Sequence, residues 1–188
     1  PGSAEKIEGW EARNLNRNYP GKADGNLTQR IAFAIVELLK RESVDVAYDF
    51  HETGPASRLA WMLVANPKNV DIGATAVLGL DEAGIPAKIE ASSATFRGLS
   101  HREWGDATTA KAFLFETPNP LMKDGGGKAD TVNDPVLPLE RRVGVHLSAL
   151  LEVVDACNEV AAPEKKIALA EVPGLPEIKA AGLGSFLK

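Results

Sequence analysis

The chain has a single cysteine, Cys157, so no internal disulfide can form. Cys157 falls within a helical apolar pattern, which predicts a buried structural thiol rather than a nucleophile. One thiol does not fix the compartment, with the cytoplasm favoured over secretion. No apolar run approaches the roughly 20 residues needed to cross a bilayer, which predicts a soluble chain with no membrane partner. A concentrated basic face is also missing. The 21 Lys and Arg are interspersed among 26 Asp and Glu, for a net charge of -5, which argues against a nucleic-acid partner. There is no initiator methionine and no signal-peptide pattern. The chain opens Pro1-Gly2-Ser3, and the expectation is that a segment has been removed or that the first residues are vector-derived. What is present is ordinary for a globular protein. The 188 residues are 44% apolar and 25% charged, enough for one domain with a hydrophobic core.

The run Asn14-Leu15-Asn16-Arg17-Asn18-Tyr19-Pro20-Gly21 is too polar for a core strand and reads as a loop. Asn26 with Gln29 three residues on reads as an N-cap and capping-box partner. A helix is predicted from there to about Glu42, with Ile31, Ala34, Ile35, Leu38 and Leu39 on its inner face. Val44 to Phe50 reads as a buried strand, Leu59 to Ala65 as a second, and Ala87 to Ala91 as a short third. Asp71 to Ala83 suits a helix carrying Ile72, Ala76, Val77 and Leu80 inward. Ser92 to Thr109 is rich in turn formers and reads as a loop of functional size. The wholly apolar Ala112 to Phe115 reads as a central strand. Lys123 to Asn133 reads as a glycine-rich surface loop. Pro138 to Glu159 reads as a long helix with Val143, Leu147, Leu150, Leu151 and Val154 inward. Residues 1–160 would form the catalytic domain, and the proline-containing tail from Ala161 an extended arm. Alternating strands and helices predict an α/β fold in three layers, a mixed and largely parallel sheet flanked by helices. In such sheets ligands bind at the carboxyl ends of strands, where both His51 and Glu116 fall.

Three sets of residues carry chemistry. An imidazole at a strand end suits zinc, and Asp49, two residues before His51, shares its strand face and can orient the ring. Glu116 follows Ala112-Phe113-Leu114-Phe115, where partial desolvation would raise a carboxyl toward the range of a useful base. Asn16 and Arg17 combine an amide with an arginine fork, a good clamp for a carboxylate. Each set alone is also explained blandly, as a hydrogen-bonded histidine, a capping glutamate and a solvated arginine.

Together the sets resemble the zinc carboxypeptidase superfamily, near its succinylglutamate desuccinylase and aspartoacylase-like branch. The resemblance rests on Leu15-Asn16-Arg17-Asn18-Tyr19-Pro20-Gly21, Asp24-Gly25-Asn26-Leu27-Thr28-Gln29-Arg30, Tyr48-Asp49-Phe50-His51 and Phe113-Leu114-Phe115-Glu116, in that order. It implies a Zn2+ cofactor with His51 as a ligand. It implies that Asn16 and Arg17 bind the substrate carboxylate, with Arg17 also polarising the scissile carbonyl. Glu116 would activate the water and then protonate the leaving amine. The implied partner is a small molecule or peptide with a carboxylate, cut at the neighbouring amide bond.

Two departures bear on this. The family's other zinc ligands lie in a His-x-x-Glu motif upstream of the asparagine–arginine loop, and none precedes Asn16. His101, in the polar loop, and His146, on the last helix, do not replace it. A separate N-terminal chain could complete the site, or the segment was cleaved or never existed. The stretch Ala94 to Trp104 also lacks the tyrosine of the carboxypeptidases. Arg97, His101 and Arg102 there suit an acidic or polar substrate group, or a solvated charged loop. The alternative to a hydrolase is a binding or scaffold domain of the same fold that has lost its metal. A phosphate loop at Gly125-Gly126-Gly127-Lys128 is a weaker third reading, because no strand-to-helix pattern surrounds it.

Overall fold

The computed structural model of the protein describes residues 9, 11–122, 130–169 and 172–186. The glycine-rich run from Gly125 to Lys128 lies outside them. Among the described residues, strands β1 (Val46–Thr53), β2 (Met62–Ala65), β3 (Lys88–Ala91) and β4 (Lys111–Pro118) form one sheet in the order β1-β4-β2-β3. Lys111 N–H donates to the Asp45 carbonyl and Asn119 N–H to that of Thr53, so β1 and β4 run parallel in unbroken register. Trp61 N–H donates to Glu116 and Asn66 N–H to Ala112, which makes β2 antiparallel to β4. Lys88 to Trp61 and Ser92 to Ala65 make β3 parallel to β2. The α-helices are α1 (Leu27–Arg41), α2 (Val70–Glu82), α3 (Ser100–Ala107), α4 (Leu139–Glu159) and α5 (Leu175–Ala181). The fold is the expected α/β type with a mixed, largely parallel sheet.

The chain falls into two compact units. The first comprises the chain up to Asp49, Val64–Val70 and Glu90–Leu114. The second comprises Phe50–Leu63, Asp71–Ile89 and the chain from Phe115 onward. In the first, α1 begins where expected. Asn26 Oδ1 accepts from Gln29 N–H at 3.0 Å and Gln29 Oε1 accepts from Asn26 N–H at 3.1 Å, satisfying two of the helix's otherwise orphaned donors. Its inner row is Ala32, Ile35, Val36 and Leu39, packed with Tyr19, Ala47, Trp104 and Ala112. Ile31 and Leu38, expected inward, are exposed, and Ala34 is too. Apolar residues occupy more than one side of α1, so their spacing alone does not select the row that meets the sheet.

Residues 92–109 are not simply a loop, because they contain α3. Its inward residues include Ser100, His101 and Glu103, with Trp104 the one large apolar group among them. A short helix that buries bonded polar side chains leaves no apolar period to read. Trp104 meets Tyr19 edge-on at 5.3 Å.

In the second unit, α4 buries Val145, Ala149, Val153 and Val154. Val143, Leu147, Leu150 and Leu151, expected at its core face, are half-buried. The reason lies in the tail. The segment expected to run as an extended arm contains α5, which packs on α4 and gives it a second covered side. A Cβ on Gly144 would fall 2.7 Å from Leu175 Cδ1, so glycine is what permits this approach. Ser148 Oγ accepts from Leu175 N–H at 2.8 Å, and Ile178 is fully buried.

Two strand expectations change. β4 lies in the sheet interior as expected, with Phe113 and Phe115 fully buried. β1, expected there too, pairs only with β4 among the described residues and leaves Phe50 48% exposed. Both strands also run past the expected ends. His51 and Glu116 therefore lie within β1 and β4, near their carboxyl ends, rather than just after them.

Candidate active site

Strand alternation decides where each side chain points. On β4, Phe115 and Thr117 face α4, where the His146 ring lies 5.8 Å from Phe115 and His146 Nε2 lies 3.0 Å from Thr117 Oγ1. Glu116, between them, points the other way. On β1, Phe50 and Glu52 face α4 through His146 and Arg142, and His51 between them points away. The two outward side chains meet, with His51 Nδ1 3.6 Å from Glu116 Oε1. The pair expected from sequence to share a cleft is thus brought together. The His51 side chain is 30% exposed and that of Glu116 only 11%, so solvent meets the pair mainly at His51 while the carboxylate stays largely dry. Glu116 Oε2 is buried with no hydrogen-bond partner among the described residues. An unmatched buried carboxylate oxygen is costly, and a water or substrate proton at that point would relieve the cost.

One residue behind the pair escaped the sequence reading. Arg142, 3% exposed, forms an ion pair with Glu52 and donates to the carbonyls of Leu137 at 3.2 Å and Thr131 at 2.5 Å. The other Glu52 oxygen accepts from Asn119 Nδ2 at 2.5 Å. His146 is buried, and burial pulls its imidazole down to about 4, so it stays neutral at ordinary pH. The structural role expected for His146 thus takes the form of a bond to the strand that carries Glu116. One turn of α4, Arg142 to His146, fastens the ends of both β1 and β4. A signal was available, since a charged residue four positions before a histidine on an inward helix face is unusual.

Arg142→Met should lower the unfolding free energy by about 2–4 kcal/mol in urea titration. That is less than a fully buried pair would lose, because the Glu52 side chain is 32% exposed. Adding Glu52→Gln should recover part of the loss, and no recovery would mean that the ion pair is not what Arg142 contributes.

In the first unit the asparagine–arginine loop is tightly built. Asn14 Oδ1 accepts from Asn16 N–H at 3.0 Å, and Asn18 Nδ2 donates to the Asn14 carbonyl at 2.7 Å. Asn16, 8% exposed, has its Oδ1 on the backbone N–H of Ser100 at 2.6 Å. The Arg17 guanidinium rests on the Asn16 carbonyl at 2.5 Å. Asp49 accepts from Ser100 Oγ, so the residue expected to orient His51 is held by α3.

The charged stretch before β4 makes ion pairs within itself. Arg97 and Arg102 both donate to Asp106, at 3.0 and 2.8 Å. Burial alone would raise the Asp106 carboxyl, yet bonds from Asn66, Arg102 and Arg97 hold it below the usual range. His101 is 3% exposed with Nε2 3.0 Å from Ser92 Oγ.

These residues do not by themselves fit a catalytic zinc, which takes three protein ligands. Among the described residues no group of three His, Cys, Asp or Glu is arranged to hold a metal. Both Glu52 oxygens are engaged, by Arg142 and Asn119, and Asp49 accepts from Ser100.

The site is thus a histidine–carboxylate pair near the carboxyl ends of adjacent parallel strands in an α/β sheet. Residues 4–116 match the succinylglutamate desuccinylase/aspartoacylase catalytic domain, which is more than half of the chain, and the protein belongs to that family. Membership points to a hydrolase of the deacylase type. The match spans Asn16, Arg17, Asp49 and His51 and ends on Glu116. No curated protein and no solved structure matches the chain. No described helix is long and apolar enough to cross a membrane.

Proposed function

We propose that this chain carries the catalytic part of a zinc-dependent hydrolase that cleaves the amide bond of an N-acyl amino acid beside its carboxylate. The observation that carries the reading is Glu116, a nearly dry carboxylate beside His51 with one buried oxygen unmatched. Family membership supports deacylation over the trimming of peptides by a metallocarboxypeptidase.

Arg17 and Asn16 bind the substrate carboxylate, the guanidinium supplying charge and the amide a further donor. Asn16 is suited to this because Ser100 N–H occupies its oxygen, which fixes Nδ2 as its donor end. Glu116 takes a proton from the attacking water as the new C–O bond forms. It returns that proton to the nitrogen as the C–N bond breaks, releasing a carboxylic acid and an amino acid. Zinc enters through the family likeness and His51. Its other ligands would come from outside the described residues, a separate N-terminal chain included.

The test measures amine release from N-acetyl amino acids, from their carboxamides and from dipeptides, before and after metal chelation. Release from the N-acetyl amino acids alone, lost on chelation and restored by zinc, is expected. Equal hydrolysis of the carboxamides would overturn the clamp, and cleavage of dipeptides alone would mark a carboxypeptidase. Binding of N-acetyl amino acids without turnover in a zinc-loaded, complete protein would mark a scaffold or binding domain.

A further inference from the structure

We propose that the outer face of α1 is an interface between two copies of this chain, packed antiparallel. α1 is apolar over a wider arc than its own unit covers. Ala32 and Val36 are buried, with Ile35 and Leu39 packed beside them. A second apolar row lies next to this one and faces outward. Leu27 is 65% exposed, Ile31 43% and Leu38 46%, and Ala34 in the same row is exposed as well. The steps along the row are four, three and four residues, which keep it on one line of the helix and match the seam of a two-helix coiled coil. Exposed apolar residues are ordinary when scattered singly, whereas a continuous strip marks an interaction surface.

The strip selects its partner by being complementary to itself. Its spacing reads the same in both directions. A second copy turned about a two-fold axis therefore sets Leu27 against Leu38 and Ile31 against Ala34, and each contact occurs twice. The charges obey the same operation. Arg30 and Glu37 are both exposed, border the strip on the side away from Ile35, and lie one heptad apart with opposite signs. The two-fold axis brings Arg30 of each copy beside Glu37 of the other. A parallel pair would instead set Glu37 beside Glu42 of the other helix, two like charges. The ion pair that Glu37 makes with Lys40 at 2.8 Å is exposed, and a carboxylate can accept from a second cation as well. One helix face per copy lies at the small end of interface sizes, so this dimer forms by mass action at high concentration.

Sedimentation equilibrium of the whole chain, from micromolar to millimolar protein, reads the association, and thermal melting of dilute protein controls for folding. A monomer–dimer equilibrium is expected. Ile31→Lys places two like charges near the two-fold axis and should weaken the dimer at least about tenfold. The melting temperature should barely move, because this side chain already meets solvent. Glu37→Arg sets Arg30 against arginine at both ends of the seam and should weaken the dimer about tenfold. Exchanging the pair, Arg30→Glu with Glu37→Arg, returns opposite signs to both contacts and should restore wild-type association. These charge variants leave the apolar row intact, so they decide the matter even if Ile31→Lys folds poorly. A chain that stays monomeric up to millimolar concentration would overturn the interface. So would a dimer indifferent to a well-folded Ile31→Lys, or an exchange that fails to restore what Glu37→Arg loses.

Discussion

Glu116→Gln should reduce turnover of an N-acyl amino acid by about 10²–10⁴-fold with substrate affinity nearly unchanged. Glutamine keeps the volume and can still accept or donate a hydrogen bond, so the strand and its contact with His51 should survive. What disappears is the ability to take a proton. The attacking water must then lose its proton to bulk solvent, and the leaving nitrogen has no acid beside it. The expected size is large because the proposed reaction gives this carboxylate both jobs, and it sits where solvent barely reaches. Steady-state kinetics with a melting-temperature control measures it. Full turnover in the variant would remove Glu116 from the mechanism.

Arg17→Ala should act on the other kinetic parameter. Removing one member of a charge-assisted pair in a closed site costs about 2–5 kcal/mol, or from about thirtyfold to several thousandfold in affinity. The loss should fall on substrates that carry a carboxylate. Their carboxamides, already weak, should hardly change. Arg17→Lys should recover only part, because a point charge cannot reproduce the two-pronged contact of a guanidinium. If carboxamides lose as much as carboxylates, Arg17 is holding the loop and not the substrate. The contact of its guanidinium with the Asn16 carbonyl makes that a real contrast to draw.

How far the sequence could be read depended on the kind of signal. The start of α1 was legible because Asn26 and Gln29 satisfy each other locally, with no help from the rest of the fold. The core position of β4 was legible from four apolar residues in a row. The meeting of His51 and Glu116 was legible from strand ends alone, since parallel neighbours bring equivalent ends together. Which side of α1 or α4 faces inward was not, because that depends on what covers the helix, and α5 lies far along the chain from the first turns of α4. Ser100 was not legible at all. A serine in a polar stretch carries no mark of a bond to Asn16, and the backbone N–H that makes this bond has no side-chain signature. Arg142 stood between these cases, a charge on an apolar face whose partner could not be named from sequence.

The family likeness ends on Glu116, yet the bonds that aim Glu116 lie beyond it. Thr117, Asn119, Arg142 and His146 all follow that boundary, and together they clasp β1 and β4 from the α4 side. A chain cut after Glu116 would keep every residue with a proposed chemical role and lose the clasp. The portable part of this protein, the piece that could be grafted with its chemistry intact, therefore extends at least to the second turn of α4.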